Sequence, residues 1–117
     1  MKLVRGYVGM IIRGTTPTHY FKFPLAFNDM SEMVITYYQR NKVRVEKHLP
    51  DIKYQSEDET ISIILTQEDS LQLLHSDRIG ADNDVEIQIK CKDKYGKVYA
   101  SRIIKTTVEK ILNEKVL

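Results

Sequence analysis

Residues Val85 to Lys92 read V-E-I-Q-I-K-C-K, so Val85, Ile87, Ile89 and Cys91 fall on one side of an extended chain and Glu86, Gln88, Lys90 and Lys92 on the other. An apolar set repeating every second residue can bury itself only as one face of a β-strand, because a helix would scatter it around the axis. Similar short runs recur between turn signals along the rest of the chain, at the spacing of sandwiches and small barrels. With 117 residues in all, the chain suffices for one body with a real core and is too short for two.

The strand signals come in order. H-Y-F-K-F-P-L puts His19, Phe21, Phe23 and Leu25 on one face, and Pro24, lacking an N–H, ends that strand or confines it to an edge. Asn28 to Ser31 offers a turn or short helical crossover. M-V-I-T-Y-Y follows with apolar residues in both phases, so Met33–Tyr38 reads as a strand covered on both sides. Q-R-N-K is a hairpin turn whose Asn41 tolerates a positive φ, and it leads into V-R-V-E-K-H-L with Val43, Val45 and Leu49 in register. Asp51 to Gln55 gives a brief strand, Ser56 to Glu59 an exposed tip, and T-I-S-I-I-L-T a strand with Ile61, Ile63 and Leu65 inward.

Thr66 and Asp69 have the spacing of a helix N-cap pair, and Leu71, Leu73 and Leu74 can then close one turn over an end of the sandwich. The S-D-R-I-G-A-D-N-D loop precedes the strand from Val85. D-K-Y-G turns into K-V-Y-A-S-R-I-I-K-T-T-V, a long strand with a bend at Ser101. The tail E-K-I-L-N-E-K-V-L suggests a short helix with Val108, Ile111 and Leu112 on one side. The expected fold is all-β, a small immunoglobulin-like antiparallel sandwich of about seven strands with one or two short helical turns. Residues 1–9, with two of the chain's five glycines, read as an N-terminal arm or an extra edge strand, and 10–117 as a single sandwich domain.

The chemistry-bearing residues are sparse and scattered. Cys91, the only cysteine, lies on the inward phase, where a buried thiol is a small inert hydrophobe, and one cysteine cannot close a disulfide within a chain. Histidines 19, 48 and 75 lack the i, i+2 or i, i+4 spacing that brings two imidazoles to one metal. Glu57, Asp58 and Glu59 occupy a solvated tip that does not pin two carboxylates in different environments, and D-N-D at 82–84 lacks the glycine and distal glutamate of a calcium loop. Neither a phosphate-cradling glycine loop nor a nucleophile elbow occurs. The expectation is no enzyme, no cofactor and no metal.

Net charge is +2, divided as +5 over residues 1–50, −8 over 51–86 and +5 over 87–117. A basic groove for nucleic acid built from Lys90, Lys92, Lys94, Lys97 and Arg102 is disfavoured by that acidic middle third and the lack of any recognised motif. If the segments segregate in space, copies could instead meet through opposite charges. Apolar runs are only a few residues long, and Arg5 and Arg13 interrupt any secretory leader, which places synthesis in a cytoplasm and predicts no membrane partner. Seven tyrosines without a tryptophan pad the core edge or anchor an interface. The interface candidates are Thr15, Thr16, His19, Tyr20, Tyr37 and Tyr38.

The runs M-I-I-R-G-T-T-P-T-H-Y-F-K-F-P-L, V-I-T-Y-Y-Q-R-N-K-V-R-V-E-K-H-L, I-S-I-I-L-T-Q-E-D-S-L, V-E-I-Q-I-K and A-S-R-I-I-K-T-T-V-E-K-I-L resemble short proteins encoded by tailed phages and prophages of Gram-positive, especially clostridial, bacteria. This resemblance covers about Met10 to the end. The order of elements is also similar to the immunoglobulin-like N-terminal domain of phage baseplate upper proteins. It implies a virion structural protein, an adaptor of a phage tail, baseplate or phage-tail-like particle, whose partners are other virion proteins or further copies of itself. A capsid decoration protein is the alternative within that class, and a small nucleic-acid-binding or regulatory domain the alternative outside it.

Overall fold

A computed structural model describes residues 8–117, so what the sequence suggests for residues 1–7 lies outside the described part. Nine strands form two sheets: β1 Ile11–Ile12, β2 Thr18–Lys22, β3 Met30–Gln39, β4 Lys42–His48, β5 Lys53–Gln55, β6 Thr60–Ile64, β7 Asp84–Asp93, β8 Val98–Ala100 and β9 Ile104–Glu109. One short helix, α1 Gln67–Leu71, and two 3-10 turns at Phe27–Asp29 and Leu49–Asp51 complete the described elements. The larger sheet runs β1-β9-β7-β3-β4, with β8 also on β7, and the smaller runs β2-β6-β5. Those orders are the G-F-C-C′ and B-E-D sheets of an immunoglobulin-like sandwich, without the disulfide that often ties them. Every pairing is antiparallel except β1 with β9, which is parallel through Ile11 and Val108.

The core is what the alternation demands. Val85, Ile87, Ile89 and Cys91 from β7 meet Met33, Ile35 and Tyr37 from β3, and the smaller sheet answers with His19, Phe21, Ile61 and Ile63, all of them buried. Phe23 and Leu65 continue the inward sets just past the ends of β2 and β6. Pro24 lies outside β2, as its missing donor requires. Phe27 stacks on Tyr54, with ring centroids 4.7 Å apart, and lies edge-on to Phe23, which seals one end of the sandwich.

The other end is closed by α1. Thr66 caps it: its hydroxyl accepts from the Asp69 N–H at 3.0 Å while the Asp69 carboxylate accepts from the Thr66 N–H at 2.9 Å. Leu73 is fully buried behind it. The guanidinium of Arg13 donates to the carbonyls of Leu73 at 2.7 Å and Leu71 at 3.1 Å and pairs with Glu114, satisfying groups that the end of a helix leaves bare. Gln39, buried at the end of β3, clamps the main chain of Leu74 through both ends of its amide, each bond 2.7 Å.

Three expectations change. Val43 and Val45 do not share a face: the β3–β4 register shifts between Tyr37 and Tyr38, Arg44 is the extra residue, and Val45 goes inward at 5% exposure while Val43 goes outward at 52%. The strand Met33–Tyr38 is not covered on both sides, since Val34 and Thr36 are only half-buried and Tyr38 is exposed. The tail is not a helix. Val108 is committed to β9 by its pairing, the chain beyond Glu109 is irregular, and Leu112 is 94% exposed. The last residue is strapped to α1 instead, through two 2.8 Å bonds between the Gln67 amide and the Leu117 main chain.

The bend at Ser101 is present and has a cause. Its hydroxyl accepts from the Ile89 N–H at 2.9 Å and donates to the Arg102 carbonyl at 2.8 Å, so at the break from β8 to β9 the side chain replaces a rung of their ladder with β7. Val8 is buried, and the carbonyl of Gly9 accepts from the Thr106 hydroxyl at 2.9 Å, so these last two residues of the suggested arm rest on the body.

Candidate interaction face

The outward phase of β3, β4 and β7 forms the floor of a trough on the larger sheet. Register fixes its rows. Val34 lies between Lys90 and His48, Thr36 between Gln88 and Glu46, and Tyr38 between Glu86 and Val43. Glu32 sits opposite Lys92, and β8 adds Val98 beside Lys92. At one end is a hollow of about 580 Å³ walled by Leu49, Pro50 and Val98, and at the other a hollow of about 330 Å³ walled by Tyr38 and Ile103; Val34 and Lys90 border both.

Apolar side chains therefore stand on a wet surface. Val43, Val98 and Ile103 are each more than half exposed and Tyr38 is 38% exposed. Ile103 is there because Ser101 interrupts the strand. Ile104 turns inward opposite Ile87, and two consecutive isoleucines cannot both do so.

Charge on this face is divided by strand and, along β7, by end. Outward on β3 and β4 are Glu32 and Glu46, with His48; outward on β7 and β9 are Lys90, Lys92 and Lys105 together with the acids Asp84, Glu86 and Glu109, so the lysines Lys90 and Lys92 stand at one end of β7 and the acids Asp84 and Glu86 at the other. Lys94 and Lys97 lie apart in the β7–β8 turn, where Lys94 pairs with Asp29 at 3.2 Å and each ammonium sits over a tyrosine ring, Tyr95 and Tyr99 respectively. The five basic residues of the nucleic-acid alternative are thus not gathered in one groove.

The six interface candidates separate into three places. His19 and Tyr37 are interior, a correction: β2 and β3 turn them toward each other between the sheets, where they share a hydrogen bond and stack with centroids 5.7 Å apart. Burial pushes the His19 imidazole down to about 4, and burial, with the Asp69 charge, pushes the Tyr37 hydroxyl up. Thr15 and Thr16 sit in the β1–β2 loop, with the Thr15 carbonyl accepting from Ser70 at 2.7 Å. Tyr20 is 59% exposed on the outer face of the smaller sheet, and Tyr38 alone of the six lines the trough. The sequence reading missed Val34, Val43, Val98 and Ile103; the doubled apolar phase of β3 and the Ile103–Ile104 pair were the signals for two of them.

Other titratable groups serve the fold. Burial, and then the Asp93 charge, push the Cys91 thiol up to about 11. Partial burial works against ionising Asp69, but hydrogen bonds from Lys47 and the Thr66 main chain outweigh it and hold that carboxyl below its usual range. The Lys47–Asp69 ion pair bridges β4 to α1 across the open edge of the sandwich. Among the described residues no group of three or more His, Cys, Asp or Glu is placed to hold a metal ion, and no helix is long and apolar enough to cross a membrane.

No protein-family model matches the chain, and no curated protein matches it. Among solved structures it is similar to the crystal structure of the SrpA adhesin R347E mutant from Streptococcus sanguinis, with a TM-score of 0.54 and 11% identity. That superposition covers 92% of this chain and 56% of the adhesin chain. The likeness is one of fold alone.

Proposed function

We propose that the chain is a non-catalytic structural protein of a phage tail, baseplate or phage-tail-like particle, an adaptor that docks through the outer face of its larger sheet. One observation carries the reading. The larger sheet presents Tyr38, Val43, Val98 and Ile103 to solvent around a trough, where a sheet meant only to face water would alternate cleanly to polar residues. The groups with strongly shifted pKa values support it from the other side, because His19, Tyr37 and Cys91 are buried core residues shifted by that burial. The phage assignment itself rests on the sequence resemblance, and the fold shared with an adhesin agrees with a binding role only as far as a fold can.

Labelling tests the assignment. The Ser56–Glu59 tip is exposed and joins β5 to β6 in the smaller sheet, so an antibody or gold tag there leaves the trough free. Electron microscopy of purified particles from the host should place the label on the tail or baseplate. Label spread over the capsid would turn the reading into shell decoration, and absence of the chain from the particles would overturn it.

A further inference from the structure

We propose that the partner of the trough is a second copy of this chain, docked face to face about a two-fold axis that runs parallel to the strands between β3 and β7. The inference names the occupant of the face assigned above and rests on that assignment, though not on the particle in which it works.

The argument is charge complementarity of the face with itself. A two-fold axis in the interface plane, parallel to the strands, leaves each residue at its own height and exchanges the two sides of the sheet. The β3 column then lies over the partner's β7 column. The outward acids Glu32 and Glu46 are on the β3–β4 side, and the lysines Lys90 and Lys92 stand on the neighbouring half of β7, the acids Asp84, Glu86 and Glu109 lying toward the far end of β7 and β9. Glu32 and Lys92 share one height, since they are partners in the ladder. The operation therefore sets Glu32 of each copy against Lys92 of the other, twice per dimer. Val34 lies over the aliphatic stem of the opposing Lys90, and Thr36 meets Gln88, two short polar side chains at the waist of the trough. Tyr38 and Val43, on the β3–β4 side, take a wall of the partner's trough that Glu86 and Lys105 begin. Any other protein would need its own acid and base set against Lys92 and Glu32 at one height; a second copy already has them.

Size is consistent with a modest, concentration-dependent dimer. Strands of 10 residues rising about 3.3 Å each, in four columns about 4.8 Å apart, give a footprint of roughly 600 Å² per copy. Specific interfaces bury about 800 Å² per partner, so this one falls toward the small end of the range.

Sedimentation equilibrium at concentrations up to about 1 mM should show a monomer–dimer equilibrium for the full chain. Glu32→Lys alone and Lys92→Glu alone should each weaken it at least about tenfold, as like charges then face one another across the axis. Mixing those two variants should restore dimers as the heterodimer, since both crossed contacts become opposite in sign; a purely intrachain role for either residue could not do this. Ile103→Asp should also leave a folded monomer, while Tyr20→Glu on the opposite sheet should change nothing. A wild-type chain that stays monomeric, a dimer indifferent to the trough variants, or a mixture that fails to recover would each overturn the inference. In the first case, label found on the tail would leave the adaptor reading in place.

Discussion

At the residue scale, the most consequential pair is His19 and Tyr37. Two polar side chains occupy an apolar core, and each satisfies the other there, which removes the cost of an unpartnered buried group. Protonating His19 would put a charge between the sheets. Its folded pKa of about 4 lies below the ordinary 6.5, so the unfolded chain takes up the proton first. The stability held by neutral His19 is therefore complete above about pH 6.5 and is lost as pH falls toward 4, about 2 kcal/mol of it between pH 7 and pH 5. Urea melts of wild type and His19→Gln across that window should converge as pH falls, because the variant lacks this component while sharing every other titration. Parallel curves would show that His19 is not the group responsible. The β7 ladder gives a second residue-level expectation. Ile89→Ala should cost about 2–5 kcal/mol through the cavity it leaves, whereas Gln88→Ala should cost about 1 kcal/mol through its lost 2.9 Å bond to the Ser101 carbonyl.

At the element scale, what the sequence disclosed depended on how local the cause was. Strands β2, β6 and β7 were legible because alternation is written within each one, β3 because β-branched and aromatic residues fill it, and α1 because Thr66 and Asp69 cap it three residues apart. The Arg44 bulge was not, as V-R-V alternates perfectly and only pairing with β3 reveals that Arg44 is surplus. The false tail helix has the same origin. Val108 looks helical beside Ile111 and Leu112 until β1, almost a hundred residues away in sequence, pairs with it in parallel. Arg13 is the least legible of all, a charged residue near the N-terminus that finishes a helix ending at Leu71. Arg13→Lys should not replace it, since a single ammonium cannot reach both carbonyls and Glu114 with the geometry of a fork. We expect a loss of about 1–2 kcal/mol, with hydrogen exchange in residues 67–74 accelerated before the rest of the sandwich. The hairpin offers the opposite sign. Arg40 and Asn41 both hold positive φ, 51° and 62°, so replacing them with Asn-Gly should raise stability by about 0.5–1 kcal/mol in thermal melts.

At the scale of the whole molecule, two sheets, one capping helix and one strapped tail make a body whose described core begins at Val8. Its smaller sheet exposes Tyr20 and Ile64, and its larger sheet carries the trough. The sequence of β3 hinted at this, since its second apolar phase called for a cover that no other part of the described chain supplies. Burial bears on the N-terminus as well. Val8 is buried and Gly9 holds Thr106, so residues 8 and 9 belong to the body rather than to an arm. If residues 2–7 are the arm that the sequence suggests, removing them should leave a cooperative melt within about 0.5 kcal/mol of the full chain, while removing 2–9 should cost about 1–3 kcal/mol more by emptying the Val8 site and freeing the Thr106 hydroxyl. Because β2 has no partner on its outer edge among the described strands, the shorter truncation also asks whether residues 2–7 serve assembly. Normal melting with reduced incorporation into particles would assign them that task; a collapse of stability on removing 2–7 alone would show instead that they form an integral strand.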